Sequence, residues 1–120
     1  MINIGEFLTG VKEKYPAILL KGRLEAEGNV ISCFFKDMLL LDDTTFKPDD
    51  FITSDGRFYY GLVSNLRKKG FYSLDEITIL SNLSSEALER YEANGGWETI
   101  QHQIDIINIQ NVDTYIEILY

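Results

Sequence analysis

Few residues in this 120-residue chain have the type and spacing that chemistry needs. One cysteine, Cys33, and one histidine, His102, stand far apart in sequence, and neither has the neighbours of a nucleophilic dyad or a metal site. The aspartate pairs Asp42-Asp43 and Asp49-Asp50 have the chemistry to hold a metal or share a proton. Both lie beside threonine or proline in turn-like stretches, where aspartate bonds to nearby backbone. Arg67-Lys68-Lys69 has the charge to meet a phosphate, yet it closes a helical stripe, where cations suit the negative end of the macrodipole. There is no Gly-x-x-x-x-Gly-Lys-Ser/Thr phosphate loop, no Gly-x-Ser-x-Gly elbow and no His-Glu-x-x-His helix. The expectation is a chain with no catalytic, cofactor-binding or metal residue of its own.

The elements are helical throughout. From Lys21 to Leu41 the apolar residues Leu24, Val30, Ile31, Phe34, Phe35 and Met38 recur at steps of three and four, which predicts a central amphipathic helix. Arg23, Glu25, Glu27, Asn29, Ser32 and Lys36 are assigned to its wet side. Lys47-Pro48-Asp49-Asp50-Phe51 reads as a turn, with Phe46 and Phe51 tucked back as anchors. A second helix, capped by Ser54 or Asp55, carries Phe58, Tyr59, Leu62, Val63 and Leu66 and ends at Gly70. Ser73 to Glu76 matches a capping box for a third helix, and Ser84 or Ser85 caps a fourth that Asn94-Gly95-Gly96 ends. Trp97, Ile100, Ile104 and Ile107 share one face of a fifth. After a break at 108–111, Val112, Tyr115, Ile116, Leu119 and Tyr120 begin another. Residues 1–22 read as a short helix with Ile4, Phe7, Leu8 and Val11 on one face, then a connector after Pro16, packed on or leading into the body. The predicted fold is an all-α compact bundle of about six to seven short helices.

Bulk properties narrow the class. The length suits one domain that buries a core unaided. Nineteen acidic residues face 11 basic ones, for a net charge of -8. Such a surface repels both the phosphate backbone and anionic membranes, so direct nucleic-acid binding is not expected. No apolar run reaches membrane-span length and no secretory leader opens the chain, so an intracellular, soluble protein is expected.

Taken as an ordered set, several stretches resemble the N-terminal domain of DnaB-type replicative DNA helicases. Leu24-Glu25-Ala26-Glu27, leading into a helix that ends Phe35-Lys36-Asp37, resembles the opening helix of that domain. Phe46-Lys47-Pro48-Asp49-Asp50-Phe51 resembles its Pro-x-Asp-Phe turn. Arg57-Phe58 with Leu66 to Gly70, Leu74 to Ile79, Glu92 to Trp97 and Asn111 to Ile118 follow in the same order. The resemblance spans residues 23–120, with 1–22 as an N-terminal extension. Gly28 in place of the usual glutamine, and Ser54-Asp55-Gly56 where a histidine usually precedes Arg57, point to a divergent member, as of a phage or mobile element.

The resemblance implies a collar domain for ring oligomerisation and for contacts with primase or a helicase loader in DNA replication. Its parent would be an ATP-dependent DNA helicase, hexameric and cytoplasmic, with ATP and Mg bound only in a C-terminal motor absent from this chain. In the family the last helix continues into a long hairpin. Tyr115, Ile116, Leu119 and Tyr120 are therefore the expected oligomer or partner interface, with Trp97 as a further candidate for which a core position is the favoured reading. The competing expectation is a free-standing acidic adaptor or inhibitor that binds a replication protein.

Overall fold

A computed structural model describes the backbone of residues 17–119 and the side chains of 22–119. The expected helix at Ile4, Phe7, Leu8 and Val11, and Tyr120, lie outside the described residues. The fold is all-α, with six α-helices and three short 3-10 turns among those residues: α1 (Ala17–Lys36), α2 (Ser54–Lys68), α3 (Glu76–Asn82), α4 (Ser85–Ala93), α5 (Gly96–Ile106) and α6 (Val112–Leu119).

Helix α1 is the axis of the bundle. Val30, Cys33 and Phe34 are wholly buried on it, and Ala26, Ile31 and Phe35 nearly so. Helix α6 packs along it more extensively than any other element, with α5 and α2 on its remaining sides. It begins upstream of the predicted Lys21, since Ala17 to Leu20 joins it without a break at Gly22. It ends at Lys36, within the Phe35-Lys36-Asp37 end read from the sequence. Asp37 leaves the helical region and its carboxylate accepts from Leu39 N at 3.1 Å, so Met38–Asp43 forms a 3-10 turn of its own.

Two predicted caps are displaced by one or two residues. Thr53, rather than Ser54 or Asp55, caps α2: its Oγ1 accepts from Gly56 N at 2.9 Å. Asp75, rather than Ser73, caps α3, accepting from Thr78 N at 2.8 Å and from Thr78 Oγ1 at 3.0 Å. Ser84 caps α4 as expected. Gly70 at φ +101° stops α2, with Phe71 N donating back to Leu66 O at 3.1 Å. Between α4 and α5, Gly95 sits at φ +107°. A side chain there would be strained and would also run into Thr99 Oγ1, which donates to Asn94 O at 2.6 Å.

The predicted anchors Phe46 and Phe51 are both buried. Phe46, Phe51 and Tyr60 ring a common centre with Phe34 of α1, at centroid separations of 4.9 to 6.4 Å. Tyr60 Oη donates to Phe46 O at 2.6 Å, so the one polar atom in this aromatic nest also fixes the turn.

Candidate interaction surfaces

Among the described residues, one carboxylate that sequence assigned to solvent is buried and accepts three hydrogen bonds. Glu27 on α1 is 2% exposed. Its Oε2 accepts from Ile52 N at 2.7 Å, and its Oε1 accepts from Thr53 N at 3.1 Å and Thr53 Oγ1 at 2.7 Å. The Thr53 hydroxyl donates its proton to Glu27 and accepts from the Gly56 amide, so one side chain both caps α2 and ties it to α1. From the other side, Arg57 Nη1 donates to the carbonyls of Phe51 and Ile52 at 2.8 and 2.9 Å. The 51–53 strap is thus held at its amides by a carboxylate and at its carbonyls by a guanidinium. Gly56 is required beside it, because a Cβ there would lie 2.6 Å from Glu27 Oε1 and 2.8 Å from Thr53 Oγ1. Ser32, also assigned to the wet side, is buried too; its hydroxyl donates to Gly28 O at 2.8 Å and reaches Gln103 Oε1 of α5 at 3.0 Å.

Several of the residues considered for chemistry hold structural posts. Asp42 takes a two-point contact from Arg67, at 3.0 and 2.9 Å, and Arg67 Nη1 also donates to Phe71 O at 3.2 Å. Lys69 Nζ donates to Asn82 Oδ1 at 3.0 Å, and the Asp50 carboxylate accepts from Lys47 N at 2.8 Å. Cys33 is buried, and burial pushes its thiol up to about 11, with Lys36 opposing. His102 is exposed on α5. Among the described residues no group of three or more His, Cys, Asp or Glu is placed to hold a metal ion. No helix among them is long and apolar enough to cross a membrane.

The expected interface residues divide. Leu119 is 4% exposed and sits in the chain's own core, while Tyr115 and Ile116 are half-buried against it. Ile118 is the exposed large apolar side chain of α6. Trp97 is half-buried, packs on the core and lines a cleft with Glu76, Glu92 and Glu98.

Exposed apolar side chains are concentrated in a different segment. Of nine exposed large hydrophobic residues among those described, four fall between Phe71 and Leu80: Phe71, Tyr72 (69% exposed), Ile77 (76% exposed) and Leu80. The segment is well formed, since Gly70 and the Asp75 cap fix its two ends, but α3 touches the other elements only lightly and buries Ile79 alone. The stripe Leu74, Ile77, Ile79, Leu80 and Leu83 was legible. Which of its members stay wet was not, because a seven-residue helix has no room for a full inner face.

Two buried phenols complete the polar inventory. Tyr59 Oη and Tyr91 Oη are shielded from solvent without a hydrogen-bond partner. Asn94 lies near enough to Tyr59 to oppose the upward push of burial without closing a hydrogen bond of ordinary geometry. Burial, with Glu76 next, pushes Tyr91 up to about 12. A folded-state value above the unfolded one near 10 means the unfolded chain loses its proton first. The stability these phenols lend is fully present below pH 10 and falls as pH rises towards 12. We expect denaturant midpoints to drop across that window, and Tyr91→Phe to flatten the drop while leaving the midpoint at pH 7 unchanged or higher. A larger alkaline drop in Tyr91→Phe than in the parent would contradict this.

No family model matches the chain, and neither the curated proteins nor the solved structures contain a match. The likeness to the helicase collar domain therefore stands on the sequence pattern alone.

Proposed function

We propose that this chain is an assembly and partner-docking domain of the DnaB-type replicative helicase class, working in the cytoplasm of a bacterium or a phage-infected cell. The observation that carries the docking role is the run of exposed apolar side chains Phe71, Tyr72, Ile77 and Leu80 within ten residues of an otherwise acidic molecule. Exposed aromatic and branched side chains on a lightly packed helix lose little by being covered and gain by leaving water. The replicative part rests on the six ordered stretches of resemblance. Two of them serve as joints of this fold, for Glu27 ends the Leu-Glu-Ala-Glu stretch and grips the residues that follow Phe51 of the Pro-x-Asp-Phe stretch. Primase or a loader is the partner this reading names, and the ATP-dependent motor lies outside this chain.

The test is a titration of the chain against the primase and the loader of the same replication system. Tyr72→Ala with Ile77→Ser is expected to weaken the competent pair roughly 30-fold, the loss of one interface hot spot. The thermal midpoint should stay unchanged, since both side chains are already in water. Equal affinity in parent and variant would remove the patch from the interface. The net charge of -8 favours one other reading, a free-standing acidic adaptor of a replication protein. Reading the coding sequence past the Tyr120 codon separates the two: a hairpin and a phosphate-loop motor support the helicase, and an immediate stop supports the adaptor.

A further inference from the structure

Helix α3 leaves one side uncovered. Ile77 and Leu80 stand three residues apart and Glu76 and Leu80 four, so these three share a side of the helix turned away from Ile79, its buried residue. At Glu76 this face meets the cleft that Trp97 lines. The cleft, about 520 Å³, is walled by Glu76 of α3, Glu92 in the last turn of α4, and Gly95, Gly96, Trp97 and Glu98 where α5 begins. Gly95 and Gly96 contribute only backbone. Three carboxylates and one indole therefore define what the cleft can receive.

No cation lines that cleft. The ion pairs among the described residues join Arg67 to Asp42 and Arg90 to Asp55, which leaves Glu76, Glu92 and Glu98 unpaired there. All three are exposed. A lysine or arginine entering the cleft meets these carboxylates, and its apolar stem can lie against the indole, the ring that attracts cations best. Ile77 and Leu80 offer apolar surface one and four residues along from Glu76. A segment that answers both features is amphipathic, with a cation beside an apolar stripe. A second copy of this chain is a poor occupant, because a self-complementary pair would set these carboxylates against each other on a molecule of net charge -8. The same charge repels phosphate backbones and anionic membranes.

We propose that the uncovered face of α3 and the Trp97 cleft together dock a basic amphipathic segment of a partner protein. Its apolar side chains cover Ile77 and Leu80, and a lysine or arginine is held among Glu76, Glu92 and Glu98. The proposal rests on the docking reading of α3 given above and adds the chemistry of the partner's contact segment. It also gives Trp97 a role beyond packing, since the same ring that meets the core lines the cleft.

Trp97 is the chain's single tryptophan, so its fluorescence reports on the cleft directly. The probe is a short helix-forming peptide of lysine and leucine, without aromatic residues, titrated into the full chain. A saturable change in Trp97 emission is expected. Glu92→Gln with Glu98→Gln should weaken the binding roughly tenfold, and Ile77→Ser by a similar factor. Asp113→Asn with Glu117→Gln removes the same charge from α6 and should change it by less than about twofold. All five positions are exposed, so the variants keep the fold. No saturable response, equal loss from the two charge pairs, or full affinity in Ile77→Ser would each overturn the proposal. So would a Trp97 emission that shifts with protein concentration alone, which gives the face to a second copy. The docking reading is judged apart, on the primase and loader. A pair that weakens with Tyr72→Ala and Ile77→Ser but ignores Glu92→Gln and Glu98→Gln keeps that reading and overturns this one.

Discussion

Glu27→Ala is expected to lower folding stability by about 3 kcal/mol, the largest loss we anticipate from removing any single polar side chain here. The substitution deletes one carboxylate and strands three donors: the amides of Ile52 and Thr53 and the Thr53 hydroxyl. Each hydrogen bond to a charged group is worth roughly 1.5–3 kcal/mol, but Ile52 and Thr53 are themselves exposed, so water recovers part of the sum. On a domain of this size the loss should read as a drop of about 10 °C in thermal midpoint. Glu27→Gln should cost about half as much, because its one carbonyl oxygen still accepts while its amide group points a donor at a donor. If Glu27→Ala melts within a degree or two of the parent, the buried carboxylate is not what holds the strap to α1.

Glu27 also shows how far the sequence could be read. Its position, midway between Leu24 and Val30 and four residues before Ile31, lies inside the apolar stripe; its type argues for water. The structure follows the spacing and supplies the donors. That outcome was not legible, because the amides come from residues 25 and 26 positions away in the chain. Helix α2 was legible because Tyr59, Leu62, Val63 and Leu66 agree in spacing and type, and all four are buried. The caps were displaced where two candidates stood within a turn of each other. Thr53 won over Ser54 because its hydroxyl serves Glu27 as well, a preference set by tertiary structure. The surfaces were least legible. Periodicity marks Ile77, Leu119 and Leu24 alike as apolar members of a stripe, and only packing leaves the first bare, encloses the second and sets the third on the rim of a groove.

Phe51→Ala is expected to cost about 3–5 kcal/mol, the range for emptying a fully buried aromatic site. Its ring lies 4.9 Å from that of Tyr60 and 5.5 Å from that of Phe46, so the vacancy opens in the middle of the aromatic nest. The more telling quantity is its coupling to Glu27. Phe51 and Ile52 are adjacent, and Arg57 donates to both of their carbonyls, so the aromatic anchor and the carboxylate grip hold one strap by its two faces. Once either grip is gone, the strap is partly free and the other holds less. The double variant should therefore be less destabilised than the sum of the two singles, by about 1 kcal/mol or more. Denaturant titration of the four proteins gives that number directly. Strict additivity would mean that the turn and α1 are fastened independently, and that the residues linking Phe51 to Thr53 carry no shared strain between the two ends of the bundle.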